Sequence, residues 1–229
     1  MIGMRSARHT PLLAVLTVAV LLGIVAVASS APKPTPNAAI TITAQKNPIV
    51  FGSSTRIAGK VTGTTKSNVS VRLEQKPHPY TGNWQAVSTT TTSATGDYSF
   101  SAVGPRVNTL YRVGGAGSLK AVSKELRLNV RIKVALRLSD STPRRGERVR
   151  FSGPAAPEHD GSEVLIQRRT FTGRWSTVKR TTLKDAGTEL SRFSTRIRVR
   201  RDGTYRARIP FDADHAAGLS RSKRANVPG

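Results

Sequence analysis

The chain has no cysteine among its 229 residues. Disulfide staples and thiolate-held metals are therefore excluded, although that absence does not decide the compartment. Aromatic residues are scarce at 5%, and hydrophobic residues reach only 37%. That supply argues against one large core, whereas two β-sandwiches of roughly 90–100 residues each are within its reach. Acidic residues are also few, 13 against 37 basic ones, for a formal net charge of +24. Such a surface repels its own copies and attracts polyanions, whether nucleic acid, anionic lipid headgroups or cell-envelope polyphosphates. A monomer is expected.

What is present begins at the N-terminus. Arg5 and Arg8 precede an uncharged apolar run over residues 11–31, the pattern of an export signal. Ala26-Val27-Ala28 offers small residues for cleavage after Ala28. The apolar run over residues 11–28 is also near the lower length limit of a membrane span. Residues 1–28 are thus read as a signal peptide or as an anchor helix that tethers the chain to a membrane. Both readings place the remainder outside the cytoplasm, secreted or at the cell surface, and argue against genomic nucleic acid as a partner. Pro32, Pro34 and Pro36 make residues 29–39 an extended stalk.

Residues 40–130 and 131–229 read as two copies of one unit. Trp84 matches Trp175 at a separation of 91, while Gly59 matches Gly153 and Tyr111-Arg112 matches Tyr205-Arg206 at 94. The unequal offsets locate insertions and deletions in loops, one of them between Leu73 and Trp84. Within each copy the apolar period is two, and no long stretch has period 3.6. Seven short segments per copy, rich in Thr, Val, Ile and Tyr and punctuated by Gly, Pro, Asn and Ser, read as strands. The expected fold is all-β, two tandem immunoglobulin-like sandwiches following the N-terminal signal or anchor helix. At the junction, apolar residues hold every even position from Leu126 to Leu138 without Gly or Pro. The last strand of the first copy should therefore run almost directly into the second copy, stiffening the pair.

Thr95-Gly96-Asp97-Tyr98-Ser99-Phe100 and Phe211-Asp212-Ala213-Asp214-His215-Ala216-Ala217 resemble segments of bacterial Ig-like repeat domains. Asp202-Gly203-Thr204-Tyr205 is similar to the tyrosine corner of the wider immunoglobulin class. The resemblance implies a spacer, adhesive or accessory module of an exported or surface protein. It also implies that the Tyr205 hydroxyl ties its strand to upstream backbone. Asn108-Thr109-Leu110-Tyr111 departs from this pattern in the first copy.

Catalytic chemistry has little material. His78, His159 and His215 lie outside the signal, and no Gly-x-Ser-x-Gly elbow is present. They are expected as solvated loop histidines. Asp212 and Asp214 supply too few carboxylates for a calcium loop and read as turn residues. No catalytic residue, metal or cofactor is assigned, and an enzyme is not expected. The strongest signal is basic. The second copy carries 23 basic and 10 acidic residues, the first 11 and 3. Arg196, Arg198 and Arg200 alternate with Ile197 and Val199, and Arg206 and Arg208 alternate with Tyr205, Ala207 and Ile209. Inward apolar side chains turn both arginine rows outward, and Arg pairs well with phosphate and carboxylate. Whether the rows share a face depends on whether the intervening turn crosses between sheets. Trp84, Trp175, Tyr111 and Tyr205 read as structural aromatics, each Trp a peg opening a strand after a Thr-Gly turn. The resulting expectation is an exported bacterial, non-enzymatic interaction or spacer protein. Its partner would be an anionic envelope polymer, an anionic membrane surface or another surface protein. The alternatives are a secreted polyanion- or carbohydrate-binding module and, third, a hydrolase with an unrecognised site.

Overall fold

The computed structural model describes residues 38–117 and 119–228. The signal or anchor and the stalk as far as Asn37 lie outside the described residues. Those described contain strands and turns but no helix. The first half holds β1 (Ala39–Ile40), β2 (Thr43–Ala44), β3 (Ile49–Val50), β4 (Thr55–Thr62) and β5 (Ser70–Pro77). It continues through β6 (Gln85–Thr91), β7 (Asp97–Val103), β8 (Thr109–Gly115), β9 (Leu126–Leu128) and β10 (Val130–Arg131). The second half holds β11 (Lys133–Val134), β12 (Arg137–Leu138), β13 (Glu147–Ala156), β14 (Glu163–Arg169) and β15 (Trp175–Thr182). It ends with β16 (Lys184–Asp185), β17 (Ser191–Val199), β18 (Gly203–Ile209), β19 (Gly218–Leu219) and β20 (Lys223–Ala225).

Two sheets of four or five strands form in each half, and β10 pairs with β3 as a separate two-stranded sheet in the first. In the first, β4 pairs with β1, β2 and β7, while a second sheet runs β6-β5-β8-β9. In the second, β13 pairs with β11, β12 and β17, and β16 joins β17; the opposite sheet runs β15-β14-β18 with β19 and β20. These orders, with their connections crossing between sheets, are those of immunoglobulin-like sandwiches. The alternation legible in the strands is the physical cause. In β13, Val149, Phe151, Gly153 and Ala155 are buried while Arg148 and Arg150 are exposed, so one face packs on the opposite sheet and the other meets solvent.

Two apolar clusters result. Leu128 and Val130 belong to the first, Ile132, Val134 and Leu136 to the second. The even-position alternation therefore persists across the junction, and the core it feeds changes between Val130 and Ile132. Backbone bonds fasten this seam. Ala216 N–H donates to the Val130 carbonyl at 2.7 Å, and Ile132 N–H donates to the Ala216 carbonyl at 3.1 Å. Buried Asn108 is a further fastener: its N–H donates to the Asp214 carbonyl, and its Oδ1 accepts from Val130 N–H, both at 2.8 Å.

The short β3 went unread in the sequence because only two residues pair, parallel to β10, between Pro48 and a turn at Gly52. Another local device recurs in both halves. A Cβ on Gly59 would lie 1.9 Å from the Thr41 carbonyl oxygen, and one on Gly153 would lie 1.9 Å from that of Ala135. The edge strand bends its carbonyl onto the inner strand at a point only glycine can occupy. Beside Gly59, the Tyr98 hydroxyl donates to the Thr41 carbonyl. Beside Gly153 stands Phe193, which has no hydroxyl.

Candidate functional site: an arginine face and a histidine–aspartate cluster

The two arginine rows do not share a face. Arg196 and Arg198 lie on β17, Arg206 and Arg208 on β18, and these strands belong to opposite sheets. The turn through Arg200 and Asp202 crosses between them, so the rows point away from each other. Arg200 follows β17 and is exposed.

What joins the β17 row is a second row on β13. The register sets Arg148 opposite Arg198 and Arg150 opposite Arg196. All four are exposed. Among the described residues no carboxylate lies within ion-pair distance of any of them. Like charges directly opposite on a sheet cost roughly 0.2–1 kcal/mol per pair relative to neutral residues. Farther along the same face opens a groove of about 370 Å³, lined by Arg137, Arg150, Lys184 and Arg192 with Ser152 and Ser194. Four cations and four hydroxyls, Thr181 and Thr182 included, around one concavity suit phosphate, sulfate or carboxylate. The alternation of Arg148-Val149-Arg150-Phe151 was a usable sequence signal, but its pairing with β17 was not legible.

Arg206 has a structural occupation instead. Its guanidinium lies over the Trp175 ring, 4.2 Å from the centroid, and its Nε donates to Gln167 Oε1 at 2.9 Å. Burial, and then neighbouring Arg208, lower its pKa from the usual arginine value. The first half repeats the stack: Arg112 lies 4.3 Å over Trp84, and its Nε donates to Glu74 Oε2 at 2.7 Å. Glu74 is buried and also accepts from Arg72. Desolvation alone would raise its pKa, but bonding from Arg112 and Arg72 outweighs that and holds it below the usual carboxylate value. Both tryptophans are half-buried on the outer face of their sheet. They are pegs beneath a cation, outside the core.

Tyr111 and Tyr205 are core residues, 1% and 4% exposed. The tyrosine corner needs correction. Among the described residues no upstream backbone group accepts from the Tyr205 hydroxyl; Arg168 is its polar neighbour. The tyrosine that ties a strand to upstream backbone is Tyr98.

Two of the three histidines also depart from expectation, whereas His78 is part-exposed in a turn. His215 is 2% exposed and the His159 side chain 8%. Their rings meet edge to face with centroids 4.9 Å apart. His159 sits in the loop between β13 and β14; Asp212, Asp214 and His215 sit in the loop between β18 and β19. His159 Nε2 lies 2.9 Å from Asp212 Oδ2, and His215 Nδ1 lies 3.1 Å from Asp214 Oδ1. Each of the four residues offers one ligand atom, and these atoms lie within 4.8 Å of one another. The other ring nitrogens face carbonyls, His159 Nδ1 that of Pro157 and His215 Nε2 that of Arg106, both at 2.9 Å. The separation of 56 between the histidines explains why the sequence did not join them.

No protein-family model matches the chain, and no curated protein matches it. Among solved structures, the ectodomain of the teleost fish polymeric Ig receptor resembles it at 12% identity, over 83% of this chain and 99% of that one. The TM-score is 0.33, and neither fold nor function is inferred from that resemblance.

Proposed function

We propose that the chain is an exported, non-enzymatic interaction module whose second half docks anionic polymer of the cell envelope on the β13–β17 face. The observation that carries this reading is the two pairs of facing arginines, Arg148 with Arg198 and Arg150 with Arg196. Four unpartnered guanidiniums in cross-strand register carry a cost that a bound polyanion relieves. The adjoining groove at Arg137 and Arg192 extends the same surface. Two tandem immunoglobulin-like sandwiches of a bacterial surface protein suit that role, and the basic N-terminal apolar segment supplies export. A carbohydrate platform is less well supported, because Arg112 and Arg206 already cover the faces of Trp84 and Trp175.

The test is retention of the full chain on a glycerol-phosphate polymer against neutral peptidoglycan across salt. Binding should weaken steeply between low and moderate salt. Replacing Arg148, Arg150, Arg196 and Arg198 by Ser should weaken it on the order of tenfold or more, since each solvent-exposed ion pair contributes about 0.2–1 kcal/mol. Replacing Arg206 and Arg208 should change it far less. Equal losses in both variants would reduce the reading to net charge alone.

A further inference from the structure

We infer that His159, Asp212, Asp214 and His215 form a binding site for a divalent transition-metal cation of the zinc class. The argument starts from hydrogen-bond polarity. A carbonyl oxygen only accepts, so the nitrogens facing it, His159 Nδ1 and His215 Nε2, are the N–H atoms of their rings. In neutral imidazole the opposite nitrogen then carries a lone pair. Both lone pairs face carboxylate oxygens, at 2.9 and 3.1 Å. Two sets of lone pairs at that distance repel, and something positive must lie between them.

A proton on each ring is one answer, but it fits poorly at His215. Its Nδ1 is buried and makes no hydrogen bond, the 3.1 Å approach of Asp214 notwithstanding. A buried N–H without an aligned acceptor is costly. A metal cation needs no such N–H, because it accepts the lone pair itself. Backbone carbonyls behind both rings are the outer support that metal-bound imidazoles use to fix their tautomer.

The donor set selects the ion class. Two imidazoles and two carboxylates suit four-coordinate zinc, with copper and nickel as competitors, whereas calcium takes six to eight oxygens. Bonds of about 2.0–2.1 Å in a tetrahedron separate ligand atoms by about 3.3 Å. The present spread, up to 4.8 Å, contracts by rotation of the Asp212 and Asp214 side chains, which are 37% and 41% exposed. The ion would join the β13–β14 loop to the β18–β19 loop. Through Arg106 and Asn108, which bond His215 and Asp214, it would also stiffen the seam with the first half.

The experiment titrates untagged, chelator-stripped full chain with Zn²⁺ by calorimetry and with Co²⁺ by absorption. One ion per chain, tetrahedral cobalt bands and a zinc-dependent rise in melting temperature that Ca²⁺ does not produce are expected. His159→Gln and Asp212→Asn should each weaken zinc by at least the roughly 10–100-fold that loss of an outer-shell partner alone costs. Asp212→Asn keeps Oδ1, which accepts from the backbone N–H groups of Asp214 and His215, so its metal-free melting should stay near that of the parent chain. No saturable binding at a hundredfold excess of Zn²⁺, or binding unchanged in both variants, overturns the inference and leaves protonated histidines beside carboxylates.

Discussion

The β4–β7 face and the β13–β17 face occupy corresponding places in the two halves of the molecule and carry different electrostatics. In the first, Lys60 faces Asp97 with charges 3.5 Å apart, and Ala58 faces Ser99. In the second, Ser152 faces Ser194, and beyond them arginine faces arginine twice. The inward sets diverge much less, because each must fill space against an opposing sheet. Gly59 and Gly153 keep the same close approach. Ser123 and Ser220 keep the same buried bridge, accepting from Val113 N–H on β8 and Ala207 N–H on β18 respectively, and each donates to the carbonyl of the next residue. Packing holds the inside constant and leaves the outside free to acquire a partner. Divergence between otherwise matched positions is thus the better guide to function here.

The glycines give the sharpest way to break the comparison. Gly59→Ala and Gly153→Ala should each destabilise their half by roughly 3 kcal/mol or more, since a Cβ would overlap backbone oxygen. Denaturant unfolding measures this, and a mild effect in one half would show that its edge strand yields where the other does not.

A smaller effect separates Glu74 from Gln167, the two acceptors beneath the Arg–Trp stacks. The Glu74 pKa is lowered on folding, so its contribution is full above the unfolded value near 4.5 and is lost as pH falls through the lower folded value. The first half should accordingly weaken in acid ahead of the second, and Glu74→Gln should remove that difference when unfolding is followed by hydrogen exchange at successive pH values.

Tyr98→Phe converts the first half to the arrangement of the second, where Phe193 stands. About 1 kcal/mol should be lost with the bond to the Thr41 carbonyl, as measured by a shift in denaturation midpoint. The smallest effect has the opposite sign. Arg196→Glu replaces a like-charge pair with Arg150 by an attractive one and should stabilise the second half by about 0.5 kcal/mol, while weakening retention on anionic polymer. Stabilisation without loss of retention would separate the arginine strain from the docking role.

Much of the fold was legible because strand alternation is a local property. Val149, Phe151, Phe193 and Val199 announce an inward face, and the arginines between them must point out. The site was only half legible for the same reason. Arg196 and Arg198 could be read from one strand, but Arg148 and Arg150 become their partners only through a register that depends on the whole sheet. Arg206 looked equivalent in sequence and proved to be held over Trp175. Asp212, Asp214 and His215 were adjacent on the page, yet the fourth member, His159, arrives from a different loop.

The sequence by itself determined the two-residue periodicity, the matched placement of Gly59 and Gly153 and of Trp84 and Trp175, and the excess of positive charge in residues 131–229. These follow from side-chain identity and spacing along one chain. Tertiary structure alone decided that the two arginine rows part company, that a tyrosine other than Tyr205 bonds the upstream backbone, and that two histidines lie buried against two aspartates. Each depends on which strands become neighbours and which loops close over them, and those long-range contacts are set by burial of the cores as a whole.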